Sequence, residues 1–556
     1  MKFRNKRNNI SSCLINYILQ NKFLFGVLLF YSLLMLSIIN WGIPNQNHPF
    51  AYNMDEWHQL QAVRTTIKNF SPNVSGSSHG TMFHFILTGV YLTPFFVFGA
   101  MNPFILNSPV DLLDIQQKLF VILRLNTLIF GILSIFFIAK IAKEYLRINQ
   151  NITVILFVVT PLWLSLSNYF KYDIALVFWI ISSLFYLFKF SSKPSLRNYL
   201  IAGVFCSLAV ATKISALPIL LIYSISYFWF MKKNKWKLNE SFWGIILFFG
   251  IFLLLGVPDL ILGKGDWREF LYSNLVSGSS GYSNILTGFN AWWQYILLKI
   301  MPIDFGYGFI IIYVIGISYW LAFFLKSLIK KKFTMFKNEF FLLFCFLVFT
   351  ASLVPLKLGA NGNRLLVLLP FFALLSGVFL QRLKKSLNNL KIVIWIIFIL
   401  IFVIQFYQSA IMIYIKWLPD VRVLSSKWMK ENLAKGTLIG VENIPIYQLL
   451  PDVVIKEFYS IDRKFNHSAS FSYKVIDASS RSIPSIVVVT GKELDLYYFK
   501  KSQKKQLVER LMREGYREKI EFKPFQALYL FSENELNYSV SGLAPISTIS
   551  VFEKVK

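Results

Sequence analysis

The sequence predicts an α-helical polytopic membrane protein with a small α/β domain at its C-terminal end. Three observations indicate this fold class. First, 55% of the 556 residues are hydrophobic and 17% are aromatic, with a mean hydropathy of +0.53, which is more than a soluble core requires. Second, apolar runs of roughly 20 residues, the length that crosses a bilayer, recur from Phe23 to Ile415. Third, the composition becomes that of a soluble domain after residue 415.

The distribution of positive charge predicts the orientation of the membrane domain, residues 1–415. The formal net charge is +29, and six short segments hold 24 of the 57 lysines and arginines. Cytoplasmic loops carry such an excess of Lys and Arg, so this clustering explains the charge without a nucleic-acid partner. We expect a multi-pass protein of the plasma (inner) membrane with a cytoplasmic N-terminus. The six segments are residues 1–22, 140–147, 189–197, 232–237, 326–337 and 382–391.

This orientation requires an even number of crossings between successive basic segments, and about eleven transmembrane helices satisfy it. A single crossing at residues 201–231 would put the next basic segment outside, so we divide that stretch at Lys213. Residues 82–101 are apolar enough to span, but a crossing there would put Asp173 inside. We expect them to form a helix on or in the outer leaflet, within a first outer loop at residues 41–118. The predicted transmembrane helices are residues 23–40, 119–139, 151–167, 174–190, 199–212, 214–231, 242–262, 306–325, 339–356, 365–381 and 392–413.

Residues 416–556 are predicted to form a soluble extracytoplasmic α/β domain. An amphipathic helix is expected at residues 504–514, with Leu507 and Leu511 on one face. Its basic surface could rest against anionic lipid heads, and we interpret the domain as a structural or acceptor-guiding module without chemistry of its own. The predicted strands are residues 437–441, 453–458, 485–490, 519–522 and 527–531.

Ionisable residues from five segments are predicted to meet at the outer membrane face. Charged groups at membrane depth cost about 2.5–3.5 kcal/mol each unless they are paired or hydrated, so they are functional candidates. Structural explanations stay open: Asp55 and Asp173 could cap helices, and Lys213 could snorkel to the interface. These ionisable residues are Asp55, Glu56 and His58 in the first loop with His79 further along it, Lys171 and Asp173 before a helix, Lys213 at a turn, Asp259, Asp266, Arg268 and Glu269 in a long loop, and Arg364 in a short polar turn.

Several classes of chemistry have no support in the sequence. Cys13, Cys206 and Cys345 are not placed to form a disulfide in exposed regions. His79 and His84 are five residues apart, which does not put them on one helical face, and no Cys or His cluster supports a zinc site. There is no P-loop, dinucleotide fingerprint or Gly-x-Ser-x-Gly motif. We therefore predict no metal and no cofactor, while a divalent metal with carboxylate ligands stays open.

Several short motifs follow one another in a definite order: Asp55-Glu56 in a long first outer loop, Arg124 followed by Gly131, Asp173 after residues 168–172, Gly203 through Thr212-Lys213, and Arg364 followed by Pro370. This order, over nearly the whole chain, resembles the polyprenyl-phosphate-dependent glycosyltransferases of the type C fold. That group includes protein O-mannosyltransferases and lipid A aminoarabinose transferases. One departure is the stretch from His79 to His84, where many members carry a His-Pro-Pro-like sequence.

The resemblance implies transfer of a sugar from a polyprenyl-phosphate sugar to an acceptor hydroxyl, with inversion at the anomeric carbon. The implied partners are that lipid-linked donor, a glycan, lipid or protein acceptor, and membrane lipids. Asp55 would act as general base, and Arg124 would either bind the donor phosphate or tie the first loop to the second helix. The implied roles are catalytic for Asp55, Glu56 and Asp173, binding of the donor phosphate for Lys213, Arg364 and Arg124, and substrate contact for His58, His79 and Lys171.

The main alternative is a polytopic transporter or flippase of a lipid-linked or anionic substrate, because charges inside the membrane also mark transport pathways. A transporter would show paired broken helices in two related halves. The sequence has no convincing internal repeat, and an acidic pair in a loop fits transport less well. The glycosyltransferase interpretation is therefore preferred.

Overall fold

The fold consists of a helical membrane domain followed by a β-sheet domain. The computed structural model describes residues 18–45, 48, 50–69, 81–101, 113–231, 237–272, 296–329, 336–353, 362–386, 391–442, 450–455, 470–491, 501–524 and 548–555, and the structural statements below concern these residues. Helices make up almost all of the described structure up to residue 432, and strands appear only after it. The predicted fold class is confirmed.

The helices of the membrane domain coincide with the apolar runs of the sequence, and each of the eleven predicted segments contains helix over its described residues. By length and composition, six helices among the described residues can cross a membrane: Gln117–Tyr145, Tyr172–Ser192, Leu238–Gly256, Tyr307–Ile329, Asn363–Ser386 and Ile396–Asn432. The number eleven stays a prediction. The α-helices are Lys22–Ser37, Met54–Asn69, Phe83–Val97, Leu113–Lys140, Gln150–Val158, Pro161–Leu166, Tyr172–Ser192, Leu196–Thr212, Pro218–Phe230, Leu238–Ile251, Pro258–Ile261, Trp267–Leu271, Met301–Phe305, Tyr307–Ile329, Lys337–Leu353, Gly362–Leu365, Leu369–Ser386, Lys391–Trp417 and Val421–Asn432.

Three breaks divide apolar stretches among the described residues of the bundle: at Lys213, which was expected, at residues 159–160, and at Val257, which interrupts the single helix predicted at residues 242–262. The helix Leu196–Thr212 ends at Lys213, which is extended with φ −158° and ψ 128°, so the predicted division at this lysine is confirmed. The predicted single helix at residues 151–167 is wrong, because the helix stops at Val158 and a new one begins at Pro161. A proline has no N–H to continue the ladder of the preceding turn, but it fits the first turn of a new helix.

The described parts of the segments rich in lysine and arginine gather at one end of the bundle, which we call the basic end. Hydrogen bonds and ion pairs join them across the chain: Lys143 with Asn21, Asn338 with Tyr145 and Ser191, and Arg382 with Glu339. Arg364 lies before the helix Leu369–Ser386, and Arg382 lies in its last turns. At 1.5 Å per residue these two arginines are separated by about 27 Å along the bundle. Arg364 therefore marks the opposite end, which we call the site end.

The C-terminal domain is built on a five-stranded sheet among the described residues, with the spatial order β2-β1-β3-β5-β4. β1 pairs in parallel with β2 and β3, while β5 pairs in antiparallel fashion with β3 and β4. The helix Lys501–Arg513 packs Leu507 and Leu511 against this sheet, as expected from its amphipathic pattern. The strands are β1 Leu438–Glu442, β2 Ser472–Ile476, β3 Ile486–Thr490, β4 Tyr516–Phe522 and β5 Ile549–Lys554.

The strand predictions for this domain are confirmed in part. Strands lie at three of the predicted positions, in β1, β3 and β4. The strand predicted at residues 453–458 is wrong over its described part, because residues 452–455 are helical. Tertiary contacts override the β-branched sequence there: the amide of Val453 donates to Oγ of Ser426 at 2.9 Å. The prediction at residues 527–531 lies outside the described residues, and β2 and β5 were not predicted.

Candidate active site

The first-loop helix, Met54–Asn69, positions the acidic pair Asp55 and Glu56. Asn53 precedes this helix, and its Oδ1 accepts a hydrogen bond from the amide of Asp55 at 3.1 Å, a role that Asn favours at a helix start. Both acids lie in the first turn, where the helix dipole stabilises negative charge. Successive side chains on a helix point about 100° apart, so the two carboxylates meet different partners.

Glu56 is the buried anchor of the first-loop helix. Arg124 donates to its carboxylate through two bonds, Nε to Oε1 at 2.9 Å and Nη2 to Oε2 at 2.7 Å, and the amide of Phe170 donates to Oε1 at 2.7 Å. Arg124 Nη1 also donates to the carbonyls of Ile39 and Trp41, at 2.6 and 2.7 Å. Both charged side chains are buried. The structure thus places Glu56 and Arg124 against each other, inside the protein.

Asp55 instead begins a row of four alternating charges, which we call the charge row. Its Oδ2 lies 2.5 Å from Nζ of Lys171, and the same ammonium lies 3.7 Å from Oδ2 of Asp173. Nζ of Lys213 then lies 2.8 Å from Oδ1 of Asp173. Each charge has a neighbour of opposite sign, which offsets the cost of removing it from water.

The two ends of the charge row are accessible and its middle is not. The side chain of Asp55 is 41% exposed and that of Lys213 is 21% exposed, whereas Lys171 and Asp173 are exposed by only 1% and 3%. A ligand can therefore reach a carboxylate at one end and an ammonium at the other. Lys171 lies buried between the two carboxylates and not at an exposed end of the row.

The neighbours of Asp55 hold it in the ionised form. The side chain is only partly exposed, and its partial burial acts to raise the pKa of this carboxyl. The charge and hydrogen bond of Lys171, with smaller contributions from His58 and Lys213, lower the pKa by more, so that it lies below its usual value. Burial likewise acts to lower the pKa of Lys171, and the charges of Asp55 and Asp173 raise it above its usual value. At neutral pH the site therefore contains a carboxylate held beside an ammonium.

Tyr172 lies at the lysine end of the charge row, where it interacts with Lys213 and Arg364. Nζ of Lys213 lies 4.5 Å from the centre of the Tyr172 ring. Arg364 is half-buried, and its charge acts on the hydroxyl of the same tyrosine. The amide of Tyr172 donates to Oε1 of Gln59 at 2.9 Å, which ties this residue to the first-loop helix. Lys213 therefore lies over the ring of Tyr172, and the charge of Arg364 acts on the same residue.

The two histidines predicted to contact substrate have different outcomes. His58 is exposed on the first-loop helix, and its charge acts on Asp55. His79 lies outside the described residues. Within the part of the chain that the structure describes, no group of three His, Cys, Asp or Glu side chains is placed to hold a metal ion. The expectations about metal and cofactor stay predictions.

Three polar groups that hold the first-loop helix and its two acids were not predicted from the sequence. Gln59 lies four residues after Asp55, on the same helix face, so the spacing was a usable signal. Asn53, directly before the acidic pair, was readable as a helix cap. The amide of Phe170, which binds Glu56 across 114 positions of the chain, left no local signal.

A model of one known protein family matches the central part of the chain. Residues 112–261 match the family model of the dolichyl-phosphate-mannose-protein mannosyltransferases. This segment resembles that family. It contains Arg124, Lys171, Asp173 and Lys213, but neither the acidic pair nor Arg364. No curated protein matches the chain by sequence.

Two solved structures are similar in fold at low identity. One is the oligosaccharyltransferase AglB from Archaeoglobus fulgidus, in complex with an inhibitory peptide and a dolichol-phosphate; it is 12% identical over 76% of this chain, with a TM-score of 0.44. The chain spans 62% of the length of that protein. The other is ArnT from Cupriavidus metallidurans, bound to undecaprenyl phosphate, with 12% identity, a TM-score of 0.44, and coverage of 95% of this chain and 97% of that one.

Proposed function

We propose that the chain is a membrane glycosyltransferase that moves a sugar from a polyprenyl-phosphate donor to an acceptor hydroxyl. The observation that carries the proposal is the charge row, which presents a carboxylate at one end and an ammonium at the other. The match of residues 112–261 to the mannosyltransferase model supports it, because that segment supplies Lys171, Asp173 and Lys213. The basic end faces the cytoplasm in this proposal, and the site end faces the extracytoplasmic side.

The proposed reaction is a single displacement at the anomeric carbon. The acceptor oxygen attacks this carbon from the face opposite the phosphate, so the configuration inverts as the bond to the phosphate oxygen breaks. Asp55 accepts the proton of the acceptor hydroxyl as the new bond forms. A carboxylate in this role typically contributes roughly 10²- to 10⁴-fold to the rate.

The phosphate leaves with the electron pair of the broken bond, and positive charge must stabilise it. Lys213 lies over Tyr172 at the exposed lysine end of the charge row, and the charge of Arg364 acts on the same tyrosine. These two cations are assigned to the phosphate oxygens, to which they would donate charge-assisted hydrogen bonds. The isoprenoid tail would remain in the bilayer beside them. The donor therefore binds at the membrane interface.

Lys171 and Asp173 act as positioning residues in this scheme. Lys171 holds Oδ2 of Asp55 and keeps the carboxylate ionised, while Asp173 orients both lysines. Glu56 and Arg124 hold the first-loop helix on the bundle and do not meet the substrate. The acceptor is a glycan, a lipid or a protein hydroxyl.

The experiment that tests the function is a transfer assay on the purified full chain. Polyprenyl-phosphate donors carrying mannose, glucose or a pentose are supplied with glycan, lipid and peptide acceptors, and products are identified by mass spectrometry. We expect one donor to yield a glycosylated product together with free polyprenyl phosphate. Absence of product with every donor, combined with movement of the intact donor across vesicles, would show a transporter instead.

Matched variants test the assignments. Lys213→Ala is expected to lower the transfer rate strongly, whereas Lys140→Ala is its control, because Lys140 also pairs with a carboxylate and lies over aromatic rings, but at the basic end. Asp55→Asn is compared with Asp266→Asn, which removes the charge of an exposed carboxylate that caps another helix. Equal effects of each variant and its control would contradict the assignment of the charge row.

A further inference from the structure

A second cluster of cations lies at the site end, outside the charge row, and joins the first loop to the C-terminal domain. Its cations stack on aromatic rings, and we call it the cation–aromatic layer. Cζ of Arg422 lies 3.2 Å from the ring centre of Tyr52, and Nζ of Lys416 lies 4.7 Å from that of Tyr169. Trp41 lies between the two cations, 5.5 Å from Lys416 and 5.9 Å from Arg422.

The layer is buried and its arginine is fixed in place. Its three rings and two cations are all buried, so the cation–π attraction is not weakened by water. Asp420 accepts from Arg422 at both of its oxygens, Oδ1 from Nε at 2.7 Å and Oδ2 from Nη2 at 2.6 Å. Arg422 stands in the helix Val421–Asn432, which leads into the sheet domain. The guanidinium is thus held flat against a ring of the first loop.

Each ring of the layer is linked to a residue that holds the first turn of the first-loop helix, which carries Asp55 and Glu56. Tyr52 precedes the cap Asn53 of the first-loop helix. The carbonyl of Trp41 accepts from Arg124, the partner of Glu56. Tyr169 precedes Phe170, whose amide donates to Glu56. The layer is therefore connected to the first turn of the first-loop helix, where Asp55 lies, through three separate sets of contacts.

A second contact joins the same two parts of the chain. Nε2 of His48 lies 3.8 Å from Oδ1 of Asp452, and the His48 ring meets the edge of Tyr52 at 4.5 Å. The amide that follows Asp452 donates to Ser426, on the helix that carries Arg422. The first loop therefore packs on the C-terminal domain at two neighbouring points.

We propose that Arg422 and Lys416 are positioning residues for the transfer reaction, through which the C-terminal domain holds the first loop so that Asp55 meets Lys171. This inference rests on the proposed function. It assigns the C-terminal domain a part in forming the active site, beyond acceptor guidance. Loss of the layer lowers the fraction of molecules in which the charge row is assembled.

Hydrogen–deuterium exchange on the purified full chain tests the positioning without any substrate. Arg422→Gln and Tyr52→Leu are expected to raise exchange at least threefold in residues 50–60, whereas Tyr52→Phe, which keeps the ring, should leave it unchanged. Arg382→Gln is the matched control, since Arg382 is also ion-paired and stacked on rings, 4.4 Å from Trp320, at the basic end. Unchanged exchange in residues 50–60 in both Arg422→Gln and Tyr52→Leu, or an equal rise along the whole chain, overturns the proposal.

The kinetic measurement separates this inference from the proposed function. With the donor and acceptor that the transfer assay identifies, Arg422→Gln should lower kcat about tenfold, or about 1.4 kcal/mol in the barrier, with KM for the donor within twofold. Tyr52→Phe should retain wild-type kcat. A change in KM alone overturns the positioning role. If the wild-type chain transfers no sugar, the proposed function fails, while the exchange measurement still decides whether the layer holds the first loop.

Discussion

At the scale of single residues, the environment of Asp55 determines how it can work as a base. Lys171 lowers the pKa of this carboxyl, so Asp55 is ionised over the whole physiological range. Activity that depends on the carboxylate is lost only as pH falls through this lowered pKa. We therefore expect the acid limb of kcat/KM to lie below the value of an ordinary aspartate, about 3.9. A pH profile of transfer measures it.

Lys171→Gln is expected to move that acid limb upward. The variant removes the ammonium that stabilises the ionised form and leaves a hydrogen-bond donor of similar length, so the pKa of Asp55 rises. Lys193→Gln, an exposed lysine near the basic end, serves as control. An acid limb that does not move in Lys171→Gln would show that Asp55 is not the titrating base.

Asp452 provides a prediction about stability. Burial raises the pKa of this carboxyl to about 7, with Asp420 adding to the shift. Between about pH 4 and 7 the folded state holds a proton that the unfolded chain has lost, so this group's contribution to stability falls as pH rises. Asp452→Asn should raise the melting temperature at pH 8 by several degrees and have little effect near pH 4.

The control for this prediction is an exposed aspartate of the same domain. Hydrogen bonds from Ser479 and Ser480 lower the pKa of Asp477, so the sign is reversed: Asp477→Asn should slightly lower the melting temperature at pH 8. Thermal unfolding followed at both pH values compares the two variants. A melting temperature of Asp452→Asn that lies below that of the wild type at pH 8 would contradict the prediction.

At the scale of elements, the first-loop helix is held by one buried ion pair. Arg124→Met leaves the carboxylate of Glu56 buried without its bidentate partner, which costs about 3–5 kcal/mol. Asp55→Asn removes a partly exposed charge and should cost much less. We expect Arg124→Met to lower both stability and transfer, and Asp55→Asn to lower transfer with a much smaller loss of stability. Melting temperatures and transfer rates measured on both variants test this prediction. Equal losses of stability would contradict the assignment of Glu56 and Arg124 as the anchor of the first-loop helix.

Helix ends inside the bundle are satisfied by a glutamine of the last membrane helix, Lys391–Trp417. Nε2 of Gln405 donates to the carbonyls of Val159 and Phe305 at 2.9 and 3.0 Å, and its Oε1 accepts from the amide of Phe309 at 3.0 Å. Each buried backbone group left without a partner costs about 1–3 kcal/mol. Gln405→Leu should therefore lower the unfolding free energy by several kcal/mol.

Gln381 provides the control for the Gln405→Leu variant. It also bonds two backbone groups, the amide of Asn149 and the carbonyl of Arg147, but it lies at the exposed basic end, where water can replace it. Gln381→Leu is expected to cost less than 1 kcal/mol on this basis. Chemical unfolding of both variants measures the difference, and similar losses would contradict the role of Gln405.

At the scale of the whole molecule, the basic end and the site end define two sides of one bundle. A reporter fused after Arg147 should report the cytoplasm, and one fused after Asp420 should report the extracytoplasmic side. The physical reason is the excess of Lys and Arg in the short loops of the basic end. Opposite results would place the proposed reaction in the cytoplasm.

Much of this molecule could be predicted from local patterns. The length of the apolar runs predicts where the helices lie. The distribution of Lys and Arg predicts that residues 201–231 are divided at Lys213. Asp173 and Lys213 are candidates because charged groups at membrane depth are costly, and Asp55 is one because it belongs to an acidic pair in the first long outer loop. The structure places these three in one connected row.

Other features depend on contacts between distant parts of the chain. Lys171 is a buried bridge rather than an open contact, and the pair of Glu56 and Arg124 spans 68 positions. The strand expected after residue 452 became a helical turn because a side chain from the preceding helix binds its backbone.

The sequence by itself determined the class of the protein, the position of its helices and the charged residues available for chemistry, because hydropathy and charge act locally along the chain. Only the tertiary structure decided which acid is open and which is an anchor. Two adjacent carboxylates on a helix point in different directions, and their partners come from other helices. The same reason explains why the contact between Arg422 and Tyr52 could not be foreseen: its energy arises when residues 370 positions apart in the chain meet in a buried layer.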